Sequence, residues 1–180
     1  MKIVLNGCYG GFGLSYEAMY LYLQAKNLEA YFYADVSTYD SYNKKHRYTR
    51  VTLSDIKKIS KSLFIYCTTE DQGETIDHFP TGVINFADIE RTDPILVSVV
   101  ETIGSKAASG RFAALEIHEI SDGVQYKIDE YDGIEDLITK EDDDWRTATE
   151  RTCASDITRR IENLWATIKP DPVPDPDLTF

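Results

Sequence analysis

The stretch Lys2-Ile3-Val4-Leu5-Asn6-Gly7-Cys8-Tyr9-Gly10-Gly11-Phe12-Gly13-Leu14-Ser15 decides the fold class. Lys2 to Asn6 is a short, mainly apolar run that reads as a buried strand. The glycines that follow break it into a turn. Ser15 is a good helix N-cap, and Glu17 falls in the first turn, where the helix dipole favours an acid. Ala18, Met19, Leu21, Tyr22, Leu23 and Ala25 then carry a helix to near Asn27. Ala30 to Tyr33 read as a second strand. Strand, turn, helix and strand in that order give an α/β class.

Working outward, Asp93 to Gly104 is the clearest helix, with Asp93 as N-cap, Pro94 at the first helical position and Gly104 as terminator. Leu96, Val100 and Ile103 line one face, and Val97 and Val99 widen it, so this helix packs on a sheet. Ser54 is expected to cap a short helix through Lys61, and Leu63 to Thr68 to form a strand. Phe112 to Ile120 and Val124 to Glu130 both alternate apolar and polar residues around Ser121-Asp122-Gly123, which predicts a hairpin and a mixed sheet.

After Trp145, Cys153, Ile157, Ile161, Leu164 and Ile168 form a narrow stripe that predicts a helix over 149–168. Such a stripe either docks across the domain or pairs with a second copy, and pairing into a homo-oligomer is the favoured reading. Pro170 to Pro176 is a polyproline-like tail. The expected organisation is a single compact α/β domain over 1–145 with a mixed sheet packed by helices. A basic segment occupies about 35–62, an added C-terminal helix spans 146–169, and a Pro/Asp-rich tail spans 170–180.

Composition bounds the function. The chain has 180 residues, 42% of them hydrophobic and 28% charged, which excludes wholesale disorder and a disulfide-dense scaffold. Nineteen Lys and Arg against 31 Asp and Glu leave a net charge of −12, which argues against nucleic-acid backbone binding. No run is long and apolar enough for a membrane span, and the N-terminus does not read as a signal peptide. Cys8, Cys67 and Cys153 lack CxxC spacing and read as reduced thiols of a cytoplasmic protein. His46, His78 and His118 do not group with them, so neither a metal nor a cofactor is expected.

The charge is segregated. Residues 35–62 carry seven bases and three acids, a net of +4, whereas residues 63–145 carry 20 acids and five bases, a net of −15. Within the basic segment, tyrosines interleave with cations from Tyr39 to Arg50. Tyr42, Lys45, Arg47 and Tyr48 are candidates to stack a base and hold a phosphate, against the alternative of a solvated loop.

The glycine-rich turn, between a strand and a helix, suits an anion held by backbone N–H groups. Asn6, Cys8, Tyr9, Gly10, Gly11, Phe12 and Gly13 are its candidate contacts. The Lys-Ser/Thr ending of a triphosphate loop is missing, as is a spaced Gly-x-Gly-x-x-Gly, so a plain tight connection remains the alternative. Cys8 as a nucleophile needs a base that the sequence does not place nearby. Asp129, Glu130, Asp132, Glu135 and Asp136 form an acidic knot around Gly133 that reads as a solvated face. Arg91 is poised either to pair with one of these acids or to grip a phosphate.

The opening Asn6-Gly7-Cys8-Tyr9-Gly10-Gly11-Phe12-Gly13-Leu14-Ser15, with Asp88 to Pro94, Val99-Val100-Glu101, Gly110 to Ala113, Asp122 to Tyr126 and Ile128 to Glu135, resembles an uncharacterised family of small phage- and prophage-encoded proteins. The likeness covers most of residues 1–138. Such proteins often close with a His-Arg stretch before a Trp. Here Trp145 follows Glu141-Asp142-Asp143-Asp144, and the helix and tail beyond it look like an addition. The resemblance implies a phage accessory or counter-defence setting and no particular mechanism.

Together these readings favour a non-catalytic phage or mobile-element protein that binds and sequesters a small anionic, nucleotide-derived ligand. The alternatives are an acidic inhibitor of a host defence or nucleic-acid-binding protein, and a Cys8-dependent enzyme on a nucleotide-like substrate.

Overall fold

The computed structural model describes residues 1–40, 43–59 and 63–140, which all fall in the compact unit Met1–Asp143. The helix expected over 149–168, the oligomer expected through it and the tail lie outside the described residues, as does Tyr42.

The order of elements follows the opening motif. Strand β1 (Lys2–Asn6) leads through the glycine turn to helix α1 (Tyr16–Ala25) and strand β2 (Tyr31–Asp35). The Ser15 hydroxyl caps α1 by accepting the Ala18 N–H at 3.2 Å. Short strands β3 (Thr38–Asp40) and β4 (Asn43–Lys45) form a hairpin, followed by β5 (Tyr48–Val51). The short helix α2 (Leu53–Ile56) starts two residues earlier than expected, because Thr52 and not Ser54 is its cap. Thr52 and Asp55 make a reciprocal capping box, the Thr52 hydroxyl accepting the Asp55 N–H and the Asp55 carboxylate accepting the Thr52 N–H. Strands β6 (Ile65–Thr68) and β7 (Thr75–Ile76) and a 3-10 turn at Phe86–Asp88 lead to helices α3 (Pro94–Ile103) and α4 (Ser105–Ala108). The chain continues in β8 (Leu115–Glu119), β9 (Tyr126–Tyr131) and β10 (Ile134–Thr139).

Helices and sheets mix as the α/β reading expects, and every ladder among the described residues is antiparallel, where a mixed sheet was expected. β1 pairs with β8, and β2 lies between β5 and β6 in a four-stranded sheet of order β6-β2-β5-β7. The hairpin expected around Ser121-Asp122-Gly123 does not form. β8 spends its hydrogen bonds on β1, with Leu115 opposite Asn6, and β9 turns back on β10 through Asp132-Gly133. Both turn residues have positive φ, 51° and 87°, as a two-residue hairpin loop of the primed type requires.

Helix α3 carries the centre of the core. Leu96, Val97, Val99 and Val100 are buried, against Val4 of β1, Ala18 and Leu23 of α1 and Leu115 of β8. Fully burying each such side chain contributes roughly 1.5–3 kcal/mol. The alternation of β2 divides the remainder. Phe32 faces this core, with the Tyr16 ring edge-on at 5.9 Å, while Tyr33 faces a second cluster with Tyr48 and Ile76.

Candidate functional site

The glycine turn sits where three segments meet. A side chain built at Gly10 would collide with the Phe112 carbonyl at 2.5 Å, and one built at Gly133 with the Gly11 nitrogen at 2.2 Å. Gly10 and Gly11 also hold φ values of 122° and 88°, which L side chains rarely adopt. Close backbone approach therefore accounts for glycine at 10 and 133, and conformation for glycine at 11. Gly13 has neither a crowded neighbour nor a positive φ, and nothing in the structure explains its identity beyond its carbonyl accepting the Gly110 N–H at 2.9 Å.

Asn6 ties the three segments together. Its Nδ2 donates to the carbonyls of Cys8 and Gly133, both at 2.6 Å, and its Oδ1 accepts the Ala114 N–H at 2.8 Å. The side chain is fully buried and saturated, so it is a fastening of the turn with no group left for a ligand.

Beneath the turn lies a buried ion pair. Arg91 donates through Nε to the Glu135 oxygens at 2.9 and 3.1 Å and through a terminal nitrogen at 2.7 Å. Its other terminal nitrogen reaches the carbonyls of Ala87 and Ile89. Glu135 in turn accepts the Asn6 N–H at 3.0 Å, and the Arg91 guanidinium lies 3.6 Å over the centre of the Phe12 ring. The two side chains are 14% and 8% exposed. The backbone closes the arrangement, because the N–H of Val4 donates to the Arg91 carbonyl at 2.9 Å. Of the two roles open to Arg91, the structure supplies pairing with an acid. The acidic knot read as a solvated face contains one member, Glu135, that is buried. Its signal was the two-residue Asp132-Gly133 turn, which folds β10 back and brings Glu135 opposite Glu130 in register and onto β1.

The three segments that meet at the turn each carry an exposed aromatic residue. Tyr9 lies in the turn itself and is 65% exposed; Phe112, whose backbone touches Cys8 and Gly10, is 63% exposed. Tyr131, immediately before the Asp132-Gly133 turn that rests on Gly10 and Gly11, is 78% exposed. Sequence reasoning singled out Tyr9 but not Phe112 or Tyr131, since only the meeting of the three backbones groups them. Exposed Glu116, Glu130 and Asp132 lie on the same segments, the Glu116 carboxylate against Gly7 and the Glu130 carboxylate accepting the Gly133 N–H at 2.7 Å.

The cysteine in the turn offers limited chemistry. Cys8 Sγ donates to the Asn6 Oδ1 at 3.6 Å and to the Phe112 carbonyl at 3.4 Å. Both are oxygen acceptors, and among the described residues no histidine hydrogen-bonds to the thiol. Cys67 is buried, and burial pushes its thiol up to about 12, which keeps it protonated and inert. Among the described residues no cluster of three His, Cys, Asp or Glu converges as a metal site would require, and no helix is long and apolar enough to cross a membrane.

The basic segment forms a separate surface on the four-stranded sheet and its hairpin. Lys45, His46 and Arg47 are exposed. The Val36 N–H donates to the Arg47 carbonyl and the Arg47 N–H to the Ser37 hydroxyl at 3.0 Å, which fixes the hairpin on its strand. Tyr48, a candidate stacking residue, is instead 2% exposed and its ring packs edge to face on Tyr66 and Phe79 at 5.9 and 5.8 Å. Its outward neighbours are His46, stacked at 6.4 Å, and the half-exposed Phe79. Arg50 is committed to Asp71 and Glu74. The described contacts of the glycine turn run to Phe112, Ala114, Gly133 and Arg91, and none of them joins it to this basic surface.

Comparison with protein-family models, with curated proteins and with solved structures finds no match to this chain.

Proposed function

We propose that this chain is a non-catalytic binding protein of phage or mobile-element origin. It captures a small anionic ligand of nucleotide type and holds it away from a cellular receptor. One observation carries the reading. On a chain of net charge −12, Lys45, His46 and Arg47 stand exposed together, next to a ring cluster in which His46 stacks on Tyr48 and Phe79 packs against Tyr48. A base stacks on exposed ring faces, and flanking cations hold its phosphates. Arg91, Asn6 and Tyr48 are engaged internally, so in this reading the ligand contacts are Lys45, Arg47, His46 and Phe79, and the glycine turn serves as scaffold. The narrow apolar stripe of 149–168 is proposed to pair copies of the chain, doubling the number of such surfaces.

The test is capture. Purified protein is incubated with a panel of mononucleotides, cyclic dinucleotides and ADP-ribose compounds, freed of unbound compound, heat-denatured, and the released molecules identified by mass spectrometry. Intact release of one compound, lost at least tenfold in Lys45→Glu with Arg47→Glu, is the expected result. A chemically altered product would move the chain to the enzymes. Retained capture in the charge-reversed variant would remove the ligand from this surface.

A further inference from the structure

The aromatic apex over the glycine turn has a different character from the basic surface. We propose that Tyr9, Phe112 and Tyr131 form a docking surface for an arginine-rich segment of a partner protein, laid across the turn and gripped by the surrounding carboxylates.

Three large rings exposed between 63% and 78% stand on segments whose backbones touch at Gly10, Gly11 and Gly133, and exposed apolar side chains gathered at one place in the chain mark an interaction site. Their mounting is rigid. Gly10 is in backbone contact with Phe112, Gly133 with Gly11, and Asn6 bonds to Cys8, Gly133 and Ala114 at once. A surface held this firmly loses little conformational freedom when a partner arrives. Tyrosine is also among the residues that dominate interface energetics when it becomes buried at the centre of a contact.

The charge around the rings selects the partner. Glu116, Glu130 and Asp132 are exposed at the rim, and Asp129 and Asp136 follow on the same hairpin. Of the nearby cations, Arg91 is neutralised inside by Glu135, and exposed Arg111, over the Phe112 ring, offsets one acid, so the rim stays acidic. A phosphate approaching this face meets like charge, whereas a guanidinium meets both ring faces and carboxylates. The chain already makes the contact twice in this neighbourhood. Arg91 lies over Phe12, and Arg111 lies 4.9 Å from the centre of the Phe112 ring. A partner's arginines would repeat that geometry on Tyr9 and Tyr131. The chemistry is that of a protein whose own task is to hold phosphates, and this inference stands independently of the nucleotide reading.

The full chain is titrated against a fluorescein-labelled arginine–serine repeat peptide at about 0.1 M salt, where charges beyond roughly 10 Å are screened, with anisotropy as readout. Tyr9→Ala and Tyr131→Ala are each expected to weaken binding at least tenfold, while Tyr20→Ala, an exposed tyrosine on α1, leaves it within twofold. Asp132→Asn combined with Glu116→Gln should weaken it several-fold, asparagine being tolerated at the positive φ of position 132. Circular dichroism of each variant confirms the fold. Lys45→Glu with Arg47→Glu, which tests the nucleotide reading, should leave peptide affinity undiminished. Equal affinities for the Tyr9, Tyr131 and Tyr20 variants would reduce the effect to general attraction by an acidic chain and overturn the proposal. Absence of binding by the unaltered chain would overturn it equally.

Discussion

Arg91 and Glu135 illustrate how a single pair can decide what a site is able to do. Buried and bonded bidentately to Glu135, Arg91 is a fastener and its guanidinium is not free to meet an anion from solvent. Removing one partner strands the other charge in a medium that solvates it poorly, which costs about 3–5 kcal/mol. Glu135→Ala should therefore lower the stability measured by urea unfolding by about that much, with Arg91 left buried and the Asn6 N–H without its acceptor. Replacing both, as Arg91→Met with Glu135→Leu, should cost clearly less than the sum of the single changes, since no stranded charge remains. Additive losses in that double-mutant cycle would mean the two side chains stabilise the fold separately.

At the scale of elements, the clearest local signals were also the correct ones. Asp93-Pro94 at the start of α3 and Gly104 at its end are self-contained instructions: the Asp93 carboxylate accepts the N–H groups of Ile95 and Leu96 at 2.8 and 3.4 Å. Tyr22 donates its hydroxyl to the same carboxylate at 2.8 Å, and Lys26 pairs with it at 3.0 Å, so the cap also fastens α1 to α3. Burial alone would raise the Asp93 carboxyl. Tyr22, Lys26 and the two amides outweigh that and hold it below its ordinary value of 3.8. A carboxyl lowered in the folded state contributes stability that is complete above the unfolded value and lost as pH falls through the folded one. Asp93→Ala should cost about 1–2 kcal/mol at neutral pH, and the gap from the unaltered chain should close as the pH drops below about 4. A gap that persists unchanged in acid would assign the cost to packing.

The hairpins show where local reading stopped. Ser121-Asp122-Gly123 and Asp132-Gly133 carry the same turn chemistry, and alternation in β8 says that one face is buried without saying which strand lies beside it. β8 finds its partner more than a hundred residues away in β1, a choice made by the core and not by the turn. The glycine turn was legible as a turn, and Asn6, Tyr9 and Arg91 as residues of interest. Their roles were not, because saturation of Asn6 and neutralisation of Arg91 depend on Gly133, Ala114 and Glu135, all distant in sequence.

For the whole molecule the deciding quantity is unbalanced charge. Exposed pairs such as Lys2–Glu101, Lys57–Glu17 and Arg50–Glu74 contribute little to stability, and salt weakens them. Against that, 31 acids and 19 bases leave a net charge of −12, with a net of −15 concentrated in residues 63–145. Repulsion among like charges opposes the compact state and is screened by the same salt, the screening length falling from roughly 30 Å at 0.01 M to roughly 10 Å at 0.1 M. The excess acids have no cation to lose, so relief of repulsion outweighs the loss of a few exposed pairs. The thermal midpoint at pH 7 should rise as sodium chloride goes from about 0.01 to 0.1 M. Chloride and acetate salts of the same cation should act alike, as expected of screening. The Arg91–Glu135 pair, shielded from solvent, should be indifferent: the destabilisation caused by Glu135→Ala should be nearly the same at both ionic strengths. A midpoint that falls with salt would show that paired surface charges, and not the surplus of acids, dominate this chain's electrostatics.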